Sequence, residues 1–191
     1  DGVTVGEDNE DRLHRIGIAV GWDTRDSWNT PNRGWLNEVQ FIRTGGFLGG
    51  ESTFSTVDFD VRRFQPLGDG KTLAMGSLLT LQSGEAFVDV PSYLRYHIGG
   101  ANTIRGYSVE DSSLLSGKNQ WLATVEYRHT VLPPRRWDIF RWSFSLGLAL
   151  GAFADVGTAW DVNDQFSENL RGGIGVGIRL LVPGAEMTRF D

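Results

Sequence analysis

The sequence predicts an all-β, antiparallel fold, and three observations lead to that prediction. Apolar and polar residues alternate over long stretches, which is the two-residue period of a strand with two different faces. Clusters of glycine, asparagine and proline separate these stretches, as turns separate consecutive antiparallel strands. No apolar run reaches the ~18 residues that a membrane-spanning helix needs. The 191 residues therefore predict a single domain built from strands.

The alternation is clearest in three segments, residues 120–132, 143–156 and 171–181. One face of these predicted strands is polar and includes Glu126, Asp155 and Arg179. Leu122 and Leu132 interrupt that polar face. The opposite face is apolar, and it includes Trp121, Val125, Tyr127, Leu146, Leu148, Leu150, Ile174, Val176 and Ile178.

Residues 55–64 alternate in the same way, with Val57, Phe59 and Val61 opposite Asp58, Asp60 and Arg62. Weaker alternation predicts three further strands, at residues 15–23, 35–43 and 73–82, and another strand starts at residues 187–191. Turn residues mark several of the connections between strands. These turn signals are Asn32-Arg33-Gly34, Gly45-Gly46, Gly68-Asp69-Gly70 and Pro133-Pro134. The sequence thus predicts seven strands and the beginning of an eighth.

Alternation of this kind is compatible with two architectures. In a β-sandwich the apolar faces pack on each other, whereas in a transmembrane barrel they face lipid. Twenty-five glycines and seven tryptophans favour the barrel, because tryptophan is enriched at bilayer interfaces. Several tryptophans also lie near predicted strand ends, namely Trp22, Trp28, Trp35, Trp121 and Trp160. From the residues alone, both architectures remain open.

Charge and residue types argue against several functions. A net charge of −6 is unfavourable for a nucleic-acid partner, and the lack of cysteine removes thiolate–metal sites. The three histidines, His14, His97 and His129, lack metal-binding spacing. The glycines of residues 172–177 alternate with β-branched residues and continue into a strand, so they do not form a nucleotide loop. We expect no cofactor and no enzymatic activity.

One acidic pair could suggest acid–base chemistry. Asp58 and Asp60 fall on the same face of a predicted strand, two residues apart, next to Arg62. Carboxylates on a wet strand face that are neutralised by a neighbouring arginine explain this pattern more simply. We therefore interpret the pair as structural.

A glycine-rich segment at residues 99–107 carries one arginine, within Thr103-Ile104-Arg105-Gly106-Tyr107. This motif resembles the arginine-glycine-aromatic motif of the BamA/TamA-type outer-membrane assembly superfamily, the bacterial surface antigen barrels. Further segments resemble that family in the same order along the chain, at residues 22–26, 31–34, 153–160 and 172–183. The resemblance extends over nearly all of the chain.

The resemblance implies an antiparallel transmembrane β-barrel. Residues 1–191 would form part of one barrel domain, about eight consecutive strands of a sixteen-stranded barrel and its C-terminal part. Residues 93–118 would form a long loop folded into the lumen. Family members hold the loop arginine against acids on the next two strands, and the matching acids here are Glu126 and Asp155. We expect that removing Arg105 leaves these two acids without a counter-charge.

By the same resemblance, the chain would act as an outer-membrane protein insertase or translocon. Its partners would be outer-membrane lipid, unfolded outer-membrane or secreted client proteins, and accessory subunits. Its location would be the outer membrane of a Gram-negative-type bacterium or of a derived organelle. Two alternatives stay open, namely a passive secretion pore and the membrane-anchoring barrel of a patatin-linked hydrolase.

Overall fold

The computed structural model describes residues 10–107, 116–139, 142–161, 164, 166, 169–182 and 188–190. Nearly all of the regular structure is extended, apart from two single 3₁₀ turns at Gly46–Leu48 and Ser92–Leu94. The strands of the first half are β1 (Arg15–Asp23), β2 (Gly34–Thr44), β3 (Phe54–Gly68), β4 (Lys71–Gln82) and β5 (Tyr96–His97). Those of the second half are β6 (Ser116–Gly117), β7 (Asn119–Ile139), β8 (Trp142–Trp160), β9 (Arg171–Leu181) and β10 (Thr188–Phe190).

Eight of the strands form one antiparallel sheet in the order β1-β2-β3-β4-β7-β8-β9-β10. The prediction of an all-β antiparallel fold is therefore confirmed. The short strands β5 and β6 pair with each other inside the long β4–β7 connection, and the sequence pattern did not predict them. No helix among the described residues is long and apolar enough to cross a membrane.

The strand register places the apolar residues of neighbouring strands on one common surface, which we call the apolar face. Directly opposed residues of an antiparallel pair point to the same side of the sheet. Val125 lies opposite Met75 on β4 and Ala154 on β8, and Ala154 in turn lies opposite Ile174 on β9. Ile174 is 87% exposed, so no second sheet packs on this part of the surface. Within the described part of this chain, β7–β9 therefore lack the packed second sheet of a sandwich, which would bury such residues.

The opposite surface, which we call the polar face, contains buried charge. Glu126 is only 5% exposed, whereas the adjacent Val125 is 46% exposed on the other side. Across the sheet Glu126 lies opposite Phe153, and Thr124 lies opposite Asp155. Residues outside this eight-stranded sheet must therefore cover the polar face around Glu126.

The turn predicted at Pro133-Pro134 is wrong. β7 continues through both prolines, and its pairing with β8 changes register between Thr130 and Leu132 and again between Leu132 and Arg135. Proline cannot donate a ladder hydrogen bond, so within a sheet it is tolerated at such irregularities. The first shift brings Leu132 opposite Leu148, a residue of the apolar face. This explains why Leu132 interrupted the polar alternation.

Leu122, the other apolar residue predicted on the polar face, has a different explanation. It packs against a buried cluster of Ile98, Ile104 and Ala159. Two members of this cluster belong to the long β4–β7 connection, so that connection covers the polar face.

Candidate functional site

The β4–β7 connection returns to the polar face through a compact segment, residues 98–107, which we call the tip loop. Its base is closed by the β5–β6 pairing, with Tyr96 opposite Gly117 and His97 opposite Ser116. The loop is folded by a hydrogen bond of 2.7 Å from the Gly100 amide to the Tyr107 carbonyl. Gly100 has φ 91, a left-handed conformation that glycine adopts readily. Of the lumen-folded loop predicted at 93–118, residues 108–115 lie outside the described residues.

Apolar packing anchors the tip loop. Ile104 is fully buried, together with Ile98 and Ala159, and Tyr107 packs against the same cluster. Full burial of an isoleucine side chain is worth about 1.5–3 kcal/mol. The loop is therefore held to the sheet by a hydrophobic contact immediately beside Arg105.

Arg105 is only 6% exposed, and its guanidinium contacts both predicted acids. Its Nε donates to Asp155 Oδ2 at 2.7 Å and its Nη2 to Asp155 Oδ1 at 2.7 Å. Its backbone amide donates to the same carboxylate at 3.1 Å. Its Nη1 donates to Glu126 Oε2 at 2.8 Å. A bidentate arginine–carboxylate pair fixes orientation as well as distance, so Arg105 locks the tip loop onto β7 and β8.

Two further neighbours contact this guanidinium. Its central carbon lies 3.4 Å from the centroid of the Phe153 ring, a cation–π contact in a buried setting. Thr124 Oγ1 accepts from Arg105 Nη2 at 3.2 Å and donates to Asp155 Oδ1 at 2.6 Å. The threonine hydroxyl thus aligns the carboxylate with the arginine.

The electrostatic balance at Arg105 favours the charged form. Burial alone would lower the pKa of the guanidinium, but hydrogen bonds and charge interactions with Asp155 and Glu126 outweigh it and raise that pKa. Arg105 therefore keeps its charge at any pH at which the protein is folded, so its docking cannot be reversed by deprotonation of the arginine.

Two further arginines belong to the site, and the sequence reasoning did not assign them to it. Arg128 Nε donates to Glu126 Oε1 at 2.8 Å, and Arg179 Nε donates to the same oxygen at 3.2 Å. Arg179 Nη2 also lies 3.1 Å from Glu126 Oε2, and the side chain of Arg179 is fully buried. Arg128 follows Glu126 by two residues, a spacing that could have indicated a same-face contact. Arg179 was placed on the polar face by alternation, but its partner depends on the β8–β9 register.

These contacts overturn one expectation. Removal of Arg105 would not leave both acids without a counter-charge, because Arg128 and Arg179 remain beside Glu126. The expectation is wrong because the sheet itself contributes two cations, Arg128 on β7 and Arg179 on β9, in addition to the loop arginine.

Glycines of the polar face make room for the tip loop and for Phe153. A Cβ at Gly173 would collide with the carbonyl oxygen of Arg105, and a Cβ at Gly175 would lie 2.5 Å from Phe153 Cζ. A Cβ at Gly151 would lie 3.4 Å from the Arg179 guanidinium. The alternating glycines of β9 thus form a shallow groove in which the loop backbone and the phenylalanine ring lie.

A second ion pair connects the base of the β4–β7 connection to the β8–β9 connection. Arg95 Nη2 donates to Asp161 Oδ2 at 2.6 Å, and the backbone amide of Lys118 donates to Asp161 Oδ1 at 3.0 Å. The Arg95 guanidinium also stacks over the Phe87 ring at 4.2 Å. The residue before β5, Arg95, and the residue after β6, Lys118, are therefore both attached to Asp161.

The acidic pair singled out from the sequence is bound by residues of the sheet itself. Asp60 accepts from Arg62 Nη2 at 2.6 Å, and Asp58 accepts from the Thr80 hydroxyl at 2.6 Å. Within the described part of the chain, no group of three or more histidine or acidic residues is arranged to hold a metal ion. The buried ionic cluster around Arg105 is thus the principal candidate site.

Comparison with known proteins identifies the family. A model of the Omp85 superfamily domain matches residues 3–191. The chain belongs to the Omp85 superfamily. The resemblance deduced from the loop motif is therefore confirmed, and with it the location of this Omp85 chain in the outer membrane of Gram-negative-type bacteria.

A curated relative and a solved structure add detail. Over 178 residues the chain is 26% identical to the outer membrane protein assembly factor BamA of Nitratidesulfovibrio vulgaris, covering 86% of this chain and 21% of that protein. The crystal structure of BamA from Haemophilus ducreyi lacking POTRA domains 1-3 superimposes with a TM-score of 0.68 at 16% identity. That match covers 92% of this chain and 37% of the other, and it shows a shared fold. The Omp85 chain spans about a fifth of the length of its curated relative.

Proposed function

We propose that these residues form the C-terminal part of a closed, sixteen-stranded outer-membrane barrel that inserts client proteins into the membrane or exports them across it. The observation that carries the proposal is the ionic lock between Arg105 of the tip loop and the wall residues Asp155 and Glu126. Membership of the Omp85 superfamily and the likeness to a BamA assembly factor support it.

In this proposal the apolar face contacts lipid and the polar face lines the lumen. The lipid-facing residues would be Trp121, Val125, Tyr127, Leu146, Leu148, Leu150, Ile174, Val176 and Ile178. Transmembrane barrels present such apolar bands outward and keep polar residues inside. Lipid is the partner that suits an exposed face of this kind, because Ile174 and Val176 remain 87% and 76% exposed without one.

The assembly step would use strand pairing rather than catalysis. An unfolded outer-membrane or secreted client would add its strands to an exposed sheet edge, which supplies the main-chain hydrogen bonds that lipid cannot provide. Folding of the client would drive insertion without nucleotide or cofactor, with accessory subunits delivering the client. The docked tip loop would hold the lumen in a defined state during this process.

The test is a comparison of Arg105→Ala with a matched control in the full-length protein. Client folding would be followed in proteoliposomes by the heat-modifiable mobility of a barrel client. The control is Arg62→Ala, which removes an arginine of the same face whose ion-pair partner is Asp60 rather than Asp155 or Glu126. We expect Arg105→Ala to slow client folding about tenfold or more and Arg62→Ala to leave it near wild type. Equal rates in both variants would overturn the proposal.

A conductance measurement separates assembly from passive transport. If Arg105→Ala produced a steady increase in bilayer conductance while client folding stayed normal, the chain would be a secretion pore with a loop plug. Slower folding of the client protein with little change in bilayer conductance supports the assignment as an insertase.

A further inference from the structure

The two acids that hold Arg105 differ in where their other partners lie. Both are nearly inaccessible, and both accept hydrogen bonds from the same guanidinium. Glu126 lies on β7 and Asp155 on β8. The donors that surround each carboxylate nevertheless come from different parts of the chain.

Glu126 is held mainly by the sheet. As far as the structure describes its surroundings, it is contacted by Arg128 Nε, Arg179 Nε, Arg179 Nη2 and Arg105 Nη1. Only the last of these comes from the tip loop. If the loop left, two guanidinium groups would still neutralise this carboxylate.

Asp155 is held mainly by the loop. Within the described residues, Arg105 supplies three of its donors, through the backbone amide, Nε and Nη2. The remaining donor is the uncharged hydroxyl of Thr124 at 2.6 Å. If the loop left, Asp155 would keep this hydroxyl and have no cation in contact.

We propose that Asp155 determines whether the tip loop is docked, whereas Glu126 belongs to a permanent wall cluster with Arg128 and Arg179. The inference rests on the proposed function, in which the docked state of the loop matters for assembly. It makes Arg128 and Arg179 positioning residues, which act on the loop only through Glu126.

The charge balance explains how such a lock can open. Among the described residues, the docked loop brings three guanidinium groups to two carboxylates. Release of the loop leaves two guanidinium groups of the wall, both at Glu126, and Asp155 with only the Thr124 hydroxyl. The cost of release then falls on one carboxylate, since leaving a buried charge without its partner is what makes breaking an ion pair unfavourable. Water entering the vacated groove would hydrate Asp155 and reduce that cost.

Two isosteric substitutions separate the roles. Asp155→Asn removes the negative charge and replaces one of the two acceptor oxygens with an NH₂ that faces the donors of Arg105, so the loop loses its bidentate charged partner. Glu126→Gln leaves Arg105 paired with Asp155, but it brings Arg128 and Arg179 together around a neutral amide. The first change should release the loop, and the second should destabilise the wall.

These 191 residues contain no cysteine, so a cysteine introduced into the tip loop can report loop release once any cysteine elsewhere in the full-length protein has been replaced. Ile104→Cys places a thiol at a fully buried position of the tip loop, where maleimide reaches it only after release. This substitution also removes part of the apolar anchor, so every variant is compared with Ile104→Cys alone. Labelling rates would be compared in full-length protein in proteoliposomes. The temperature at which heat-modifiable mobility is lost would report wall stability. Asp60→Asn is the control, since it removes an acid of the same face paired with Arg62.

We expect Asp155→Asn to raise the labelling rate about tenfold or more, and Glu126→Gln less than about threefold. The unfolding temperature should fall clearly in Glu126→Gln and little in Asp155→Asn. Arg179→Lys keeps the positive charge but loses the planar fork of donors, so its labelling rate and unfolding temperature should resemble those of Glu126→Gln. It replaces Glu126→Gln in the comparison if that variant fails to fold. Equal labelling rates in Glu126→Gln and Asp155→Asn would overturn the proposal.

Double variants that combine each substitution with Arg105→Ala test whether Asp155 acts on the loop through Arg105. In the Arg105→Ala background, Asp155→Asn should cause no further labelling, whereas Glu126→Gln should still lower the unfolding temperature. A further increase in labelling from Asp155→Asn in that background would contradict the assignment. None of these measurements uses a client protein, so failure here is distinguishable from failure of the proposed assembly function.

Discussion

The carbonyl oxygen of Arg105 occupies the space in which a Cβ of residue 173 would lie, so the tip loop and β9 touch backbone to backbone. This contact depends on glycine at position 173. It also explains why Arg105 can reach Asp155, which lies directly opposite Gly173 in the β8–β9 register. The ionic lock and the glycine groove are therefore one structural feature.

The groove gives the first prediction. Gly173→Ala should push the tip loop away from β9 and increase labelling of a cysteine at position 104 by about tenfold or more, because the backbone of Arg105 has nowhere to move while its guanidinium stays bound. Gly172→Ala is the matched control, since its Cβ would meet only the Asp155 carbonyl oxygen at 3.4 Å. Similar labelling in the two alanine variants would show that the close backbone approach is not required for docking.

The geometry of the guanidinium gives the second prediction. Arg105→Lys should restore only part of the client folding lost in Arg105→Ala, on the order of half or less, because an ammonium cannot bridge both carboxylates in a fixed plane. The measurement is the rate of client folding in proteoliposomes for the three proteins side by side. Full activity of the lysine variant would mean that charge alone, without the fork, maintains the lock.

The two faces of the sheet give the third prediction. Val125→Arg should lower the free energy of unfolding in vesicles by ~2–4 kcal/mol if the residue lies near the bilayer midplane. Leu78→Arg is the control, because Leu78 lies on the polar face directly opposite Asp60. The measurement is denaturant unfolding of the vesicle-inserted protein. A larger loss from Leu78→Arg than from Val125→Arg would reverse the assignment of faces.

Tyr96, at the base of the tip loop, gives a prediction about how stability depends on pH. Burial, together with the nearby charge of Asp58, raises the pKa of Tyr96 from 10.0 to about 12. The folded state thus holds the phenol proton more tightly than the unfolded chain does. The stability contributed by this group is complete below pH about 10 and is lost as the pH rises towards about 12.

The corresponding measurement is tyrosinate absorbance during an alkaline titration. Tyr96→Phe should remove an ionisation step near pH 12 and leave the earlier steps in place. Tyr93, whose pKa is also raised to about 12 by burial and by its hydrogen bond to Asp11, needs a separate Tyr93→Phe titration as a reference. Loss of a step near pH 10 in Tyr96→Phe would contradict the buried environment of that phenol.

The strands were predictable from the sequence because their signal is local. Alternation at residues 15–23 and 171–181 gave the bounds of β1 and β9 as the structure has them. The same parity argument placed Glu126 on one side of its strand and Val125 on the other, because successive side chains of a strand point to opposite faces. The docking of Arg105 was anticipated only through the family resemblance, since no periodicity within the loop indicates where its tip lies.

Only the tertiary structure determined the side-chain contacts that depend on strand register and on packing between distant segments. Arg179 contacts Glu126 across β8, a relationship set by strand pairing and invisible in the spacing of 53 residues between them. Pro133 and Pro134 lie within β7 because a register shift absorbs their missing hydrogen bonds, which a local turn signal cannot anticipate. The unequal sharing of Arg105 between Asp155 and Glu126 likewise follows from the packing of the Arg105 backbone against Gly173, which lies directly opposite Asp155. The residues of each strand determined which side chains share a face, and only the assembled sheet and loop determined which of those side chains meet.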